Sequence, residues 1–212
     1  AATSQRRINE FLHTQPSITN LVQPLSPLLD GSINFTNVDF VYPHTGIHAL
    51  KDFSMQIQAG EKIAVVGRTG SGKSTLAQLL LNMYQPQKGL ITYDGIPINK
   101  IDLHTLRLQV SYVPQDIFLF SETVRNNIKF GIDEATDEQV EQAAKLAGVH
   151  TEIEKFSMGY ETLIGERGVT LSGGQKQRIS IARALIKNPQ IVIFDDCLSA
   201  VDARTENEII GN

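Results

Sequence analysis

From Ser32 onward apolar residues alternate with polar ones. Ile33, Phe35, Val38, Phe40 and Tyr42 form one broken series, and Phe53, Met55 and Ile57 form a second. A period of two predicts half-buried strands, so a β-subdomain is expected here. The run Ile63-Ala64-Val65-Val66 is continuous and reads as a buried strand, and Leu76-Ala77-Gln78-Leu79-Leu80-Leu81 beyond it reads as a helix. Further on, Gly89-Leu90-Ile91-Thr92-Tyr93-Asp94-Gly95 reads as a strand ending in a turn. Val110-Ser111-Tyr112-Val113 reads as a buried strand that delivers Pro114-Gln115-Asp116 to a loop.

Between about 121 and 170 the spacing becomes helical. Thr136-Asp137-Glu138-Gln139 makes a capping box ahead of Val140, Ala143, Ala144 and Ala147, with Gly148 as C-terminal stop. Leu171-Ser172-Gly173-Gly174-Gln175 opens a second long helix that carries Ile179, Ala182, Leu185 and Ile186 and halts at Asn188-Pro189. Gln190-Ile191-Val192-Ile193-Phe194 is then wholly apolar, as in a parallel strand buried on both faces, and it closes on Asp195 and Asp196. Ahead of all this, residues 1–30 read as a connector. Arg6-Arg7-Ile8-Asn9-Glu10-Phe11-Leu12 suits a short helix, and the tract holding Pro16, Pro24 and Pro27 suits extended chain outside the core. The pattern predicts an α/β domain with an antiparallel β-subdomain in front and a helical insertion over about 121–185.

Composition narrows the function classes. At 212 residues and 41% hydrophobic the chain can bury a sizeable core, and no window approaches a membrane span. A net charge of −4 without a dense Lys/Arg tract gives no footprint for nucleic acid. The single cysteine, Cys197, excludes an internal disulfide and reads as a small buried hydrophobe after a core strand. The N-terminus lacks a signal-peptide pattern.

The candidate chemistry starts between the strand at 63–66 and the helix after it. Gly67-Arg68-Thr69-Gly70-Ser71-Gly72-Lys73-Ser74-Thr75 fits G-x-x-x-x-G-K-[ST] in the strand-to-helix context that a phosphate-binding loop requires. Glycines at 67, 70 and 72 let backbone amides turn inward at the positive end of a helix. Lys73 can neutralise the outer phosphates, and the Ser74 hydroxyl can ligate Mg²⁺. A glycine-rich turn that merely fits the pattern is the bland alternative, and the flanking elements argue against it. Ligands of open α/β sheets bind beyond the carboxyl ends of the strands, so Asp195 and Asp196 are expected to face this loop. In isolation they would only cap a turn; beside a phosphate loop a Mg²⁺-organising acid is the better reading. Tyr42, just before Pro43, could stack on a purine, although taken alone it reads as packing.

These residues resemble the nucleotide-binding domain of an ATP-binding-cassette transporter, of the exporter kind in which this domain follows a transmembrane domain in the same polypeptide. The resemblance runs from about residue 6 to the end. Residues 67–75 are similar to the Walker A loop, Gln115 to the Q-loop glutamine and Leu171-Ser172-Gly173-Gly174-Gln175 to the family signature. Ile191 to Asp195 resembles the Walker B strand, Ser199-Ala200-Val201-Asp202 the D-loop, and Tyr42 the adenine-stacking aromatic. Thr162-Leu163-Ile164-Gly165-Glu166-Arg167-Gly168 is similar to the segment that touches the transmembrane domain, with Glu166 as its contact. The full signature standing 20 residues before Asp195 makes the match specific.

The resemblance implies a P-loop ATPase with a RecA-like core. Residues 1–30 become the link from a transmembrane domain, and the domain lies at the cytoplasmic face of a membrane. ATP and Mg²⁺ are the implied cofactors. Two such domains pair head to tail, so that Ser172, Gly173, Gly174, Gln175 and Asp202 meet the partner's ATP, while Ser74, Gln115 and Asp195 order this chain's Mg²⁺. Lys73, Gln115 and Asp196 are the implied catalytic residues. Two departures stand out. Asp196 occupies the place of the family's water-polarising glutamate, one methylene shorter. The H-loop histidine has no counterpart, since His13, His44, His48, His104 and His150 all precede the Walker B strand, so the chain is expected to lack a C-terminal core strand. An aspartate at this place beside an intact signature resembles one subunit of a heterodimeric exporter, with a slow site of its own. A homodimeric exporter, a soluble ABC ATPase without a membrane partner and a bare ATP-binding regulatory module are the competing readings.

Overall fold

The computed structural model of the chain describes residues 2–13, 15–132, 134–165 and 170–197, together with 205, 206, 209 and 211. Helix α1 (Ala2–Leu12) precedes β1 (Ile33–Val41) and β2 (His48–Ile57), then α2 (Lys73–Leu80), β3 (Lys88–Tyr93) and β4 (Ile96–Pro97). Next come α3 (Leu103–Gln109), β5 (Val110–Val113), α4 (Val124–Ile128), α5 (Asp137–Leu146), α6 (His150–Ile153), α7 (Gly173–Leu185) and β6 (Ile191–Phe194).

The expected antiparallel subdomain is a four-stranded sheet in the order β2-β1-β3-β4. The broken alternation in β1 has a local cause. Its register against β2 shifts between Phe35 and Val38, and Asn37 takes a positive φ of 46° while donating to Asp52 Oδ1 at 2.7 Å. The extra residue resets the pleat, so Phe35, Val38 and Phe40 are all buried. They join α2, α3 and β3 in one core, which includes Tyr93, whose hydroxyl donates to Leu80 O at 2.8 Å.

A second core lies beneath the helical part, where α4, α5 and α7 surround Val140, Ala144, Ile153, Ile179 and Ile181. The predicted capping box at Thr136 forms, and Ser172 makes a second one. Thr136 Oγ1 accepts from the Gln139 amide, Ser172 Oγ accepts from the Gln175 amide, and each glutamine side chain returns the bond. Strand β5 joins the two cores, with Val110 in the first and Val113 in the second. It pairs in parallel with β6, Tyr112 opposite Ile193 and Val113 opposite Phe194.

Three expectations need correction. The run 63–66 is not a strand, and Val66 is 89% exposed. Its apolar character suits a sheet interior, but among the described residues no strand pairs with it, so no ladder forms. Strand β6 is half-buried along its length instead of buried on both faces, because β5 is its one described neighbour. The proline-bearing tract is not outside the core either. Leu29 is 1% exposed, Leu25 bridges Ile101, Gln109 donates to Pro27 O at 2.9 Å, and Asp94 accepts from the Asp30 and Ser32 amides at 2.8 Å. Prolines leave few backbone donors, and the side chains of Asp94 and Gln109 supply the pairing that a sheet would otherwise provide.

Candidate functional site

The loop before α2 is shaped by its glycines. Gly72, at φ 91° and ψ 10°, is the N-cap of α2, and a Cβ there would lie 2.8 Å from Ala49 O. Gly70 also takes a positive φ, 80°. The first intrahelical bond runs from the Leu76 amide to Gly72 O at 3.1 Å, which leaves the amides of Lys73, Ser74 and Thr75 directed at whatever the loop encloses. Lys73 Nζ donates to Gly67 O at 2.9 Å and to Arg68 O at 3.2 Å, so the cation is held across the loop itself. Ser71 N bonds Arg68 O at 3.1 Å and closes the turn that contains Thr69.

The carboxyl end of β6 meets this loop. Ser74 Oγ donates to Asp195 Oδ1 at 3.2 Å across 121 residues of sequence. Tyr112, on β5, donates to Asp195 Oδ2 at 3.0 Å. Burial and the Asp195 carboxylate push the Tyr112 hydroxyl well above its ordinary pKa, so it remains a donor. Next to them Gln115 Nε2 donates to Asp196 Oδ2 at 3.2 Å, and Asp196 itself sits at φ 50°. Cys197 is fully buried, and burial raises its thiol to about 11, which keeps it an unreactive packing group.

A hydroxyl and a carboxylate oxygen, converging at a loop of helix-terminal amides, fit a magnesium–phosphate ligand. Mg²⁺ takes hard oxygen ligands and keeps only one or two from protein when phosphate supplies the others. Among the described residues no three His, Cys, Asp or Glu side chains gather into a cage for any other metal.

Tyr42 stands beside the same helix. Its hydroxyl donates to Gln78 Oε1 at 2.9 Å and shares a 2.9 Å bond with Thr75 Oγ1. Thr75 is buried with its hydroxyl on Tyr42, so it faces the loop through its amide and not its side chain. The Tyr42 ring meets Phe40 and Tyr84 edge to face, at 4.9 and 5.5 Å between centroids. Ser172 and Gln175 are engaged in the cap of α7, and a Cβ on Gly173 would meet nothing within 4 Å among the described residues. Glu166 and Asp202 lie outside the described residues.

Two features were not read from the sequence. Tyr112 passed as a strand residue; its hydroxyl at the end of an apolar run was the available signal. The other is a cavity of about 280 Å³ lined by Phe118, Phe120, Phe130, Arg183 and Lys187. Phe120 and Phe130 stack with centroids 4.3 Å apart, and the Arg183 guanidinium lies 5.5 and 5.7 Å from the two rings. Burial lowers the pKa of both Arg183 and Lys187. Phe118 is 66% and Phe130 52% exposed, a concentration of uncovered aromatics that Phe118-Leu119-Phe120 beyond the Gln115 loop could have signalled.

A nucleotide-binding cassette, with a glycine-shaped loop at a helix N-terminus, a strand-end aspartate beside it and a capped helix at Ser172, is the class that this fold and site define. Residues 50–199 match the ABC transporter family, and the chain belongs to it as a nucleotide-binding domain. It is 48% identical over 206 residues to the probable multidrug resistance ABC transporter ATP-binding/permease protein YheI of Bacillus subtilis, covering 97% of this chain and 35% of that protein. The multidrug resistance-like ATP-binding protein MdlA of Escherichia coli is 44% identical over 206 residues, again 97% of this chain and 35% of that protein. A solved bacterial Atm1-family ABC exporter with ATP bound superposes with a TM-score of 0.91 at 37% identity, over 99% of this chain and 37% of that one. The chain thus spans about a third of the length of these relatives.

Proposed function

We propose that this domain binds Mg-ATP and hydrolyses it to drive an exporter at the cytoplasmic face of a membrane, paired head to tail with a second nucleotide-binding domain. The observation that carries the reading is the Ser74–Asp195 contact at the mouth of the amide-lined loop, which brings the two expected metal ligands to within 3.2 Å of each other. Bound Mg²⁺ neutralises charge on the phosphate oxygens. Lys73 and the amides of residues 73–75 offset the remaining charge, Tyr42 offers its ring to the adenine, and Asp196 polarises the attacking water. Gln115, already on Asp196, senses the nucleotide from the loop that leads to the aromatic cavity.

Pairing is supported by Gly173. Among the described residues nothing lies within 4 Å of where its Cβ would stand, which supports reading the glycine as room for another molecule's phosphate. Ser172, Gly174, Gln175 and Asp202 belong to the same proposed contact. Coupling to the permease part runs through Gln115, Glu166 and the exposed Phe118 and Phe130. Asp196 makes this chain's own site the slow one of a heterodimer, whose fast site receives the intact signature. A homodimeric exporter with Asp196 as a poorer base is the second reading, supported by the direct bond from Gln115 to the shorter side chain of Asp196.

The test is ATP turnover by the full-length transporter carrying Lys73→Ala in this chain alone. In a heterodimer with a fast partner site, turnover persists at a reduced level and nucleotide is lost from one site of two. Full occupancy of both sites with unaltered turnover would remove the nucleotide-site reading altogether.

A further inference from the structure

Asp195 is restrained twice from β5. Its amide donates to Val113 O at 3.0 Å, which extends the parallel ladder by one rung beyond the Val113–Phe194 pair and fixes its backbone. What remains free is rotation of the carboxylate about its side-chain bonds. Of the two hydrogen bonds that described residues donate to that carboxylate, the one from Ser74 runs between the two groups expected to ligand the metal. The Ser74 oxygen can ligate a cation while its proton still reaches Asp195, so that bond lies within the metal site itself. The bond from Tyr112 to Oδ2 lies on the other oxygen, outside it.

We propose that Tyr112 is a positioning residue for the metal site: its hydroxyl, donated to Asp195 Oδ2, locks the carboxylate so that Oδ1 faces Ser74 and the bound cation. The proposal rests on the reading of this loop as a Mg-nucleotide site. The register makes the contact possible. Tyr112 stands opposite Ile193 on parallel strands, so Asp195, two residues beyond Ile193, emerges on the same face. Tyr112 also stands three residues before Gln115, so one short strand aligns both the metal-binding carboxylate and the Q-loop glutamine. Outer-shell partners of this kind orient ligands, and their loss typically costs on the order of 10–100-fold in metal affinity.

The test is Tyr112→Phe in the full-length exporter, which keeps the ring and removes only the donor. Binding of a fluorescent ATP analogue is titrated with Mg²⁺, and binding in EDTA is measured alongside. The expected result is a rise of about tenfold in the Mg²⁺ concentration for half-saturation, with nucleotide affinity in EDTA and the thermal midpoint unchanged. A Mg²⁺ requirement within twofold of the parent overturns the proposal. So does an equal loss of affinity in EDTA, which would mark Tyr112 as a packing residue. Lys73→Ala checks the underlying reading separately, since it must weaken nucleotide binding in EDTA as well; if it does not, the site is not a nucleotide site and Tyr112 has no metal to position.

Discussion

Gln115 Nε2 donates to Asp196 Oδ2 at 3.2 Å, so the loop glutamine and the acid that follows β6 are directly joined. Asp196 holds this contact from a left-handed backbone, φ 50°, a conformation that aspartate tolerates better than longer side chains do. Replacing Asp196 by glutamate therefore has two separable effects. The extra methylene moves the carboxylate by ~1 Å toward the family's usual position, and turnover at this site rises by ten- to roughly a hundredfold. The left-handed backbone lowers stability by about 1 kcal/mol. Single-turnover hydrolysis in the full-length transporter reads the first effect and the thermal midpoint the second. Turnover that is fast, equal at both sites and unaffected by the substitution would establish Asp196 as an adequate base in a homodimer.

Gly173→Ala separates fold from partnership. A methyl group there finds open space among the described residues, and alanine favours the first turn of α7 over glycine by about 0.5–1 kcal/mol. The variant should unfold no earlier than the parent and bind Mg-ATP at its own loop unchanged. Steady-state turnover of the assembled transporter should fall on the order of 100-fold, because in the proposed pairing the methyl group occupies the approach of the partner's phosphate. Turnover within twofold of the parent would show that nothing closes on Gly173.

Arg183 ties three segments to the signature helix. Its Nε donates to Asn127 O, one terminal nitrogen to Asn127 Oδ1 and the other to Phe118 O, each at 2.8 Å, while its plane lies over Phe120 and Phe130. Lysine cannot reproduce a three-point planar fork, so Arg183→Lys should destabilise the domain by about 2–3 kcal/mol. It should also uncouple transport from ATP turnover, because the Phe118 segment then moves independently of α7. Thermal unfolding and a transport-to-hydrolysis ratio check the two parts. An unchanged ratio would mean that the aromatic cavity serves packing alone.

How much of this was legible depended on the reach of each interaction. The capping box at Thr136 was readable because donor and acceptor lie three residues apart. The convergence of Ser74 and Asp195 was readable from the rule that parallel strands deliver ligands at their carboxyl ends. The run 63–66 was misread because an apolar segment becomes a strand only when another strand pairs with it, and no local pattern supplies the partner. Leu29 was misplaced for the converse reason: prolines around it suggested solvent, while the groups that bury it, Asp94 and Gln109, lie 64 and 80 residues away in the pairs Asp30–Asp94 and Leu29–Gln109. Tyr112 was missed because its role depends on the β5–β6 register, which sets its hydroxyl against an acid 83 residues later.

Asp94 yields a prediction in pH. The Asp30, Gly31 and Ser32 amides and the Ser32 hydroxyl all donate to its carboxylate, at 2.8, 3.4, 2.8 and 2.9 Å. Partial burial opposes ionisation, but the Ser32 bonds and then those from Asp30 and Gly31 outweigh it and hold the folded pKa below the ordinary 3.8. A depressed carboxylate pKa means that the unfolded chain takes up its proton first as pH falls. The stabilisation is therefore complete above about pH 5, and it is lost as pH drops through 4 and past the folded value. Asp94→Asn keeps the shape and one acceptor oxygen but not the charge. It should lower stability at pH 7 by about 1–2 kcal/mol, after allowance for the exposure of the group. The difference between parent and variant should shrink steadily below pH 4. Thermal midpoints of the two proteins at pH 7, 5 and 3 check this, and a difference that stays constant across that range would show that the four donors recognise the shape of Asp94 and not its charge.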